Sequence, residues 1–424
     1  MNQPLSRYVD YMYSYPHKTA YRPFPAPVSL LPYLEQLQGR KASLYFHIPF
    51  CSHKCGYCNL FSLQTNRTEY IATYLDTLHR QAQQLSPLTA GLTFDSFAIG
   101  GGTPLLLTVP QLEQLMATAA LFGVHPSHAF TSVETSPEYA DRPRLNVLKK
   151  AGVSRVSIGI QSFQDEELKA IKRRPRQNTI YQALDDIRQM DFPYFNIDLI
   201  YGIKGQTVES FLYSLEEALR FQPNELFIYP LYVRQGTGIT EREPDDVCFR
   251  MHRAACKLLQ AKGFLQTSMR RFIHHPSTDA EVSCGDEVML SCGSGGRSYL
   301  GDLHYATRYT VCQQCIAREI DEYMATTDFT VARNGFILSA KEQQQRFIIK
   351  NLMYYMGIDK AEYTRRFGEP LDRTPLFRQL AEQYWIEETP ERIRLTPEGL
   401  GYSDYIGQLF ITPEIRQLME TYSY

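Results

Sequence analysis

Six short apolar runs, each followed by a stretch of helical period, occupy most of residues 42–231 and leave few folds open. The runs are ASLYFHI (42–48), TFDSFAIG (93–100), AFTSVE (129–134), RVSIGI (155–160), YFNIDLI (194–200) and ELFIYPL (225–231). The segments between them include EYIATYLDTLHRQAQQL, VPQLEQLMATAALF, QNTIYQALDDIRQM and TVESFLYSLEEALRF, whose apolar residues recur every three or four positions. Regular strand–helix alternation predicts parallel strands joined by right-handed crossovers. The expected fold is α/β, a partial (β/α)6 TIM-like barrel over residues 41–262. A doubly wound open sheet satisfies the same periodicity and stays open as the alternative.

The flanks read differently. Residues 1–40 carry prolines at 16, 23, 25, 27 and 32 among many tyrosines, which rules out a long helix and predicts an extended arm docked by its aromatic rings. Residues 263–339 lose the alternation and contain the Gly-rich LSCGSGGRSYL, a substrate-side extension. Residues 340–424 predict two helices, a short β-ribbon around ERIRLTPEG and a last helix. That is a small winged-helix-like α+β domain, and its charges are mixed in sign, which suits packing better than DNA reading.

A formal net charge of −2 gives no argument for nucleic-acid binding. No run approaches the ~18 apolar residues of a membrane span, and no signal peptide follows Met1. Nine cysteines, clustered in one place and sparse elsewhere, read as ligands in a reducing compartment rather than as bridges. The expected location is cytoplasmic.

The chemistry is concentrated just past the first strand, in HIPFCSHKCGYCN (47–59). Cys51, Cys55 and Cys58 are spaced C-x3-C-x2-C, and no further cysteine follows until Cys248. Three thiolates on a short loop hold three corners of a [4Fe–4S] cubane and leave one iron open. A Cys3His zinc site drawing on His47 or His53 is the competing reading. GGGTP (100–104) ends the next strand, where glycines let backbone approach a ligand. Glu134, Gln161 and Asp198 lie at or near strand ends, and Arg173 follows Gln161. Singly each reads as a surface or capping residue. Together at a barrel mouth they suit a zwitterionic, ribose-bearing ligand, with Arg for a carboxylate and Asp and Gln for hydroxyls.

The motifs YFHIPFCSHKCGYC, FAIGGGTPLLL, SVETSPE, VSRVSIGIQSFQDEELKAI and NIDLIYGIKGQT appear in order between residues 45 and 207. In this the chain resembles the radical S-adenosylmethionine (SAM) enzymes, and among them the oxygen-independent coproporphyrinogen III oxidase family. Fainter likeness extends to RYVDYMYSYP and to LTPEGLGYSDYIGQLF. The resemblance implies that Cys51, Cys55 and Cys58 ligate a [4Fe–4S] cluster whose open iron binds SAM. One-electron reduction then cleaves SAM to methionine and a 5′-deoxyadenosyl radical that abstracts hydrogen from substrate. It also implies that Tyr57 lies beside the adenine and Tyr45 near SAM. Gly101, Gly102 and Thr103 then form the glycine motif, and Glu134, Gln161, Arg173 and Asp198 the polar shell. Tyr232 falls where the family contacts adenine through backbone. The implied partners are a porphyrinogen-like small molecule and a reducing donor such as flavodoxin or ferredoxin, with neither nucleic acid nor membrane. The implied reaction is oxidative decarboxylation of propionates in porphyrin biosynthesis.

Two departures keep other reactions open. The oxidase itself resembles C-x3-C-x2-C-x-C, whereas Leu60 stands at the last position. The family likeness also extends to methyltransferases and to heme chaperones, although a His-Asn-x-x-Tyr-Trp heme motif is absent and the only Trp is Trp385. A radical SAM methyltransferase on a non-tetrapyrrole substrate, and a heme or cluster chaperone binding SAM without turnover, are therefore the alternatives. Cys284, Cys292, Cys312 and Cys315 offer ligands for an auxiliary cluster, against the reading that they are incidental thiols. Arg297, His304, Tyr305 and Arg308, with Arg270, Arg271, His274 and His275, offer either propionate partners or a solvated basic face.

Overall fold

The computed structural model describes residues 6–8, 12, 14–125, 128–173, 176–274, 288–371 and 374–423, so Cys284 and His275 lie outside the described residues. Strand β1 (Arg22–Ser29) comes from the arm. The barrel then runs β2 (Lys41–Ile48), α1 (Thr68–Leu85), β3 (Thr93–Gly101), α2 (Val109–Ala120), β4 (Phe130–Thr135) and α3 (Arg142–Ala151). It continues through β5 (Arg155–Gln161), α4 (Gln177–Met190), β6 (Tyr194–Tyr201), α5 (Val208–Leu219), β7 (Glu225–Pro230) and α6 (Asp245–Ala261).

Local chemistry sets these boundaries. Thr108 and Gln111 form a capping box at the start of α2, and Asp141 accepts from the Arg144 amide at 3.0 Å to open α3. Gly152, at φ +83°, closes α3 in the left-handed conformation that only glycine enters without strain. The strands are buried on both faces, as parallel strands covered by helices must be.

β2 to β7 pair in parallel and in chain order, with no reversal of strand order between them. A doubly wound sheet would reverse at a switch point, so the barrel alternative holds. The irregular 263–339 region supplies more sheet than its sequence pattern suggests. β8 (Val288–Cys292) pairs in parallel with β2, and β9 (Arg297–Leu300), β10 (Leu303–Ala306) and β11 (Val331–Ile337) continue antiparallel to reach β1. Helix α7 (Gln313–Ala325) lies between β10 and β11. Beyond β7, Arg271–Ile273 and Leu265–Gln266 add two short antiparallel strands.

The C-terminal residues follow the order α8 (Ala340–Leu352), strand Ile358–Asp359, α9 (Lys360–Phe367), α10 (Pro375–Glu382) and hairpin Ile386–Glu388/Arg392–Leu395. This is the helix–strand–helix–helix–hairpin order of a winged-helix-like unit. Helices α11 (Ser403–Leu409) and α12 (Pro413–Glu420) follow. The unit has its own apolar cluster, including Ile349, Leu352, Ile406 and Ile415, into which Met12, Tyr15 and Ala20 of the arm insert. The arm is thus anchored by buried side chains, as its aromatic content predicts.

Candidate functional site

One cavity of about 680 Å³ opens at the C-terminal ends of the parallel strands, and every residue expected from the sequence to hold the cluster or SAM lines it. Cys51, Cys55 and Cys58 form one wall, carried by the loop that leaves β2. That loop is fixed by backbone bonds from Thr103 to Phe50 (2.8 Å), Gly56 to Ile171 (2.9 Å) and Gly238 to Gly56 (2.7 Å). Thr103 Oγ1 donates to Cys51 Sγ at 3.6 Å, and Ser62 Oγ sits 3.9 Å from Cys58 Sγ.

The glycine motif is needed for close packing. A Cβ on Gly102 would stand 2.5 Å from the Phe50 carbonyl oxygen, immediately before the first cysteine. Gly101 has φ +117°, and its amide donates to Glu134 Oε2 at 3.3 Å. Gln161 also has positive φ, +75°, at the end of β5. A non-glycine residue held there is strained, and such strain concentrates at functional sites.

Arg173 connects the thiol wall to the barrel. Its Nη1 lies 3.4 Å from Cys55 Sγ and 3.5 Å from Tyr57 Oη, and Nη2 donates to the Gly159 carbonyl. Its Nε is buried with no hydrogen-bond partner among the described residues. Opposite stand two carboxylates, Glu134 on β4 and Asp198 on β6. Asp198 accepts from Asn196 Nδ2 at 2.7 Å and from Ser157 Oγ at 3.4 Å. Burial deep in the protein mass, together with the neighbouring Asp198, raises the Glu134 carboxyl to about 7. Burial likewise raises Asp198 to about 6. Glu134 is nonetheless exposed by surface area, because that surface faces the cavity.

Both histidines of the zinc alternative are committed elsewhere. His47 Nε2 bonds the Phe61 carbonyl at 2.9 Å, with Tyr45 Oη 3.1 Å from its Nδ1, and His53 Nε2 bonds the Lys172 carbonyl at 2.7 Å. Tyr232 lines the cavity, and its hydroxyl donates to the buried Asp404 of α11, where Arg270 also pairs.

The basic residues divide sharply. Arg297 lines the cavity, whereas Arg270 pairs with Asp404 and Arg271 with Glu225. His304 is fully buried, and Arg308 reaches the Ser423 carbonyl. Three cations that sequence reasoning passed over, Lys18, Lys54 and Arg234, line the cavity with His17. Burial, then Lys18, Arg234 and Arg297, hold the His17 imidazole well below its ordinary range. Arg297 lines the same cavity as Lys18 and Arg234. The only signal in the sequence was the HK pair inside YSYPHKTAY.

Among the described residues, Cys292 does not converge with Cys312 and Cys315. Cys292 is buried at the end of β8 near Tyr323. Tyr323 is eight residues along α7 from Cys315, a rise of about 12 Å. Among the described residues, no three His, Cys, Asp or Glu side chains cluster to hold a single metal ion, and no helix is long and apolar enough to cross a membrane.

Known proteins carry the same architecture. The sequence matches the family model for the Radical SAM superfamily over residues 45–218 and that for the HemN C-terminal domain over residues 338–401. It is 31% identical over 394 residues to the oxygen-independent coproporphyrinogen III oxidase of Salmonella typhimurium, covering 85% of this chain and 83% of that one. It is 27% identical over 386 residues to the heme chaperone HemW of Bacillus subtilis, covering 87% of this chain and 100% of that one. The solved coproporphyrinogen III oxidase (HemN) of Escherichia coli shares the fold, with a TM-score of 0.82 at 23% identity over 94% of this chain and 96% of that one. The chain therefore belongs to the radical SAM superfamily and, within it, to the oxygen-independent coproporphyrinogen III oxidase-like family, whose cofactors are a [4Fe–4S] cluster and SAM.

Proposed function

We propose that this chain is a radical SAM enzyme acting on a bulky, carboxylate-bearing tetrapyrrole-like substrate, by oxidative decarboxylation of propionate side chains. The observation that carries the reading is that the three thiols and the cations Lys18, Arg234 and Arg297 line the same cavity. When bound, the cluster and SAM supply one-electron reductive cleavage of a sulfonium and hydrogen abstraction from substrate.

The residues present fit these cofactors. Cys51, Cys55 and Cys58 would hold the cluster, and the loop supplies no fourth thiol. The partnerless Nε of Arg173 would receive the SAM carboxylate, and the carboxylate of Glu134 beside the Gly101 amide would receive the amino group. Asp198 and Gln161 would bind ribose hydroxyls, and Tyr57 would pack beside the adenine. Tyr45 orients His47 at the cavity floor, and the absence of a Cβ on Gly102 and Gly101 lets the edge of β3 come close. Tyr232 would shape the adenine end through its backbone. Lys18, Arg234 and Arg297, which line the same cavity, would pair substrate carboxylates. A flavodoxin- or ferredoxin-like donor would deliver the electron.

A second reading, heme binding without turnover, is favoured by the full-length likeness to a heme chaperone and by Leu60, half-exposed at the cavity, where the oxidase pattern carries a further cysteine. An anaerobic assay with dithionite, SAM and coproporphyrinogen separates the outcomes. 5′-Deoxyadenosine with CO2 supports decarboxylation. S-adenosylhomocysteine as coproduct would replace it with methyl transfer, and retained heme without either product would replace it with carriage.

A further inference from the structure

The C-x2-C pair Cys312/Cys315 is left over once the cavity is accounted for. Cys312 is exposed at the N-cap of α7, and Cys315 is half-buried one turn in. They occupy the N-cap and the third residue of one helix, an i,i+3 spacing that makes side chains neighbours. They are also unequal. Cys312 is drawn below the ordinary thiol range by the Cys315 thiol, then by the first amides of α7 and by Arg318, while Cys315 is pushed above it. A low-pKa thiol paired with a resolving partner is the arrangement that thiol–disulfide exchange requires.

The segment is also tied to the cysteine loop. Gln313 Nε2 donates to the Ser62 carbonyl at 2.9 Å, and its Oε1 accepts from the Gln64 amide at 2.8 Å. Lys54 Nζ, between the first two cysteines of the loop, donates to the Val311 carbonyl at 3.1 Å. Movement at the start of α7 therefore reaches residues 54–64 directly.

We infer that Cys312 and Cys315 form a thiol–disulfide exchange site, with Cys312 attacking and Cys315 resolving, that takes an anionic low-molecular-weight disulfide of the glutathione type. The Cys312 thiolate attacks one sulfur of the small disulfide, forming a mixed disulfide and releasing one small thiolate. Cys315, losing its proton, then attacks the Cys312 sulfur, forming the Cys312–Cys315 bond and releasing the second thiolate. The two protein thiols lose two electrons and two protons, and the small disulfide is reduced to two thiols. Arg318, three residues beyond Cys315 on α7, puts positive charge on the segment that carries both thiols, which favours an anionic reagent over a cationic one.

The test uses the full-length, anaerobically reconstituted protein exposed to glutathione disulfide, with thiols trapped by alkylation and mapped by mass spectrometry. The wild type should form the Cys312–Cys315 disulfide and release two glutathione per chain. Cys315→Ser should stop at a glutathione adduct on Cys312, and Cys312→Ser should react at least about tenfold more slowly. Cystamine, a cationic disulfide, should oxidise the wild type more slowly than glutathione disulfide at low salt. Amide exchange in residues 59–65 should differ between the reduced and oxidised protein, while iron content stays the same in both serine variants. Equal rates for the two variants, or no bridge in the wild type, would overturn the inference. Loss of iron in either variant would overturn it too, by making the pair cluster ligands.

Discussion

Arg173 places one guanidinium nitrogen 3.4 Å from Cys55 Sγ while another donates to the Gly159 carbonyl on β5, so one side chain spans the cysteine loop and the barrel. Its planar fork makes both contacts at once, which the single ammonium of lysine cannot do. Arg173→Lys should weaken SAM binding by at least about tenfold, about 1.4 kcal/mol, and leave iron content at about 4 per chain. Equilibrium SAM binding and iron analysis on the same preparation check this. Parallel loss of iron would mean that Arg173 builds the loop rather than the ligand site.

Gly102 faces the backbone of Phe50, with 2.5 Å between its absent Cβ and that carbonyl oxygen. The clash is with backbone, so no rotamer change relieves it. Gly102→Ala should displace Phe50 and Cys51, lower iron incorporation severalfold and cost about 1–3 kcal/mol in stability. Iron counts and thermal unfolding read both effects. Gly123, with nothing within 4 Å of its Cβ position but φ +71°, is the control. Alanine there should cost stability without touching iron.

What the sequence disclosed follows from where the determinants are local. Each of β2 to β7 is a short apolar run fenced by an amphipathic helix, so both ends of every unit are marked in the chain itself. β8 is not, because Val288–Cys292 earns its parallel place only by pairing with β2, about 245 residues earlier. The residues expected on the cofactor side gather in one cavity for a related reason, most of them lying in a barrel strand or in the loop just after one, within a short local motif. Arg270 is neither a propionate partner in the cavity nor part of a solvated face, the two readings left open for it, because its partner, Asp404, lies 134 residues away on another unit. Lys18 and Arg234 escaped notice because an arm and a loop carry no periodicity to say which way they face.

Glu134 makes the site pH-dependent with a definite sign. Its carboxyl is raised from 4.5 to about 7 in the folded chain, so the fold binds this proton more tightly than the unfolded chain does. The stabilisation is present below pH 4.5 and is lost as pH climbs through 7. Glu134→Gln should therefore raise the melting temperature of the ligand-free protein at pH 8 and change it little at pH 5. The size will be reduced by solvent in the cavity. Binding has the opposite sign, because the charged carboxylate is the form that takes an ammonium group. SAM affinity should fall as pH drops below 7, approaching about tenfold per pH unit, with a flatter profile in Glu134→Gln. A variant profile as steep as that of the wild type would assign the titration to Asp198, which is raised to about 6.

Asp404 couples the C-terminal unit to the cavity. It is fully buried, and it receives Arg270, also buried, together with the Tyr232 hydroxyl. Removing one partner of a buried ion pair strands the other charge away from water, which costs about 3–5 kcal/mol. Asp404→Asn keeps the shape and one acceptor but takes the Asp404 counter-charge away from Arg270, so the C-terminal unit should loosen before the barrel does. Amide exchange should rise first in α11 and around Tyr232, and SAM affinity should fall even though residue 404 does not line the cavity. Arg270→Met with Asp404→Leu removes both charges together and should recover stability relative to Asp404→Asn. If that pair restores stability but not SAM affinity, the Tyr232 hydroxyl bond is what positions the cavity wall. If it restores both, packing of α11 against the barrel is sufficient.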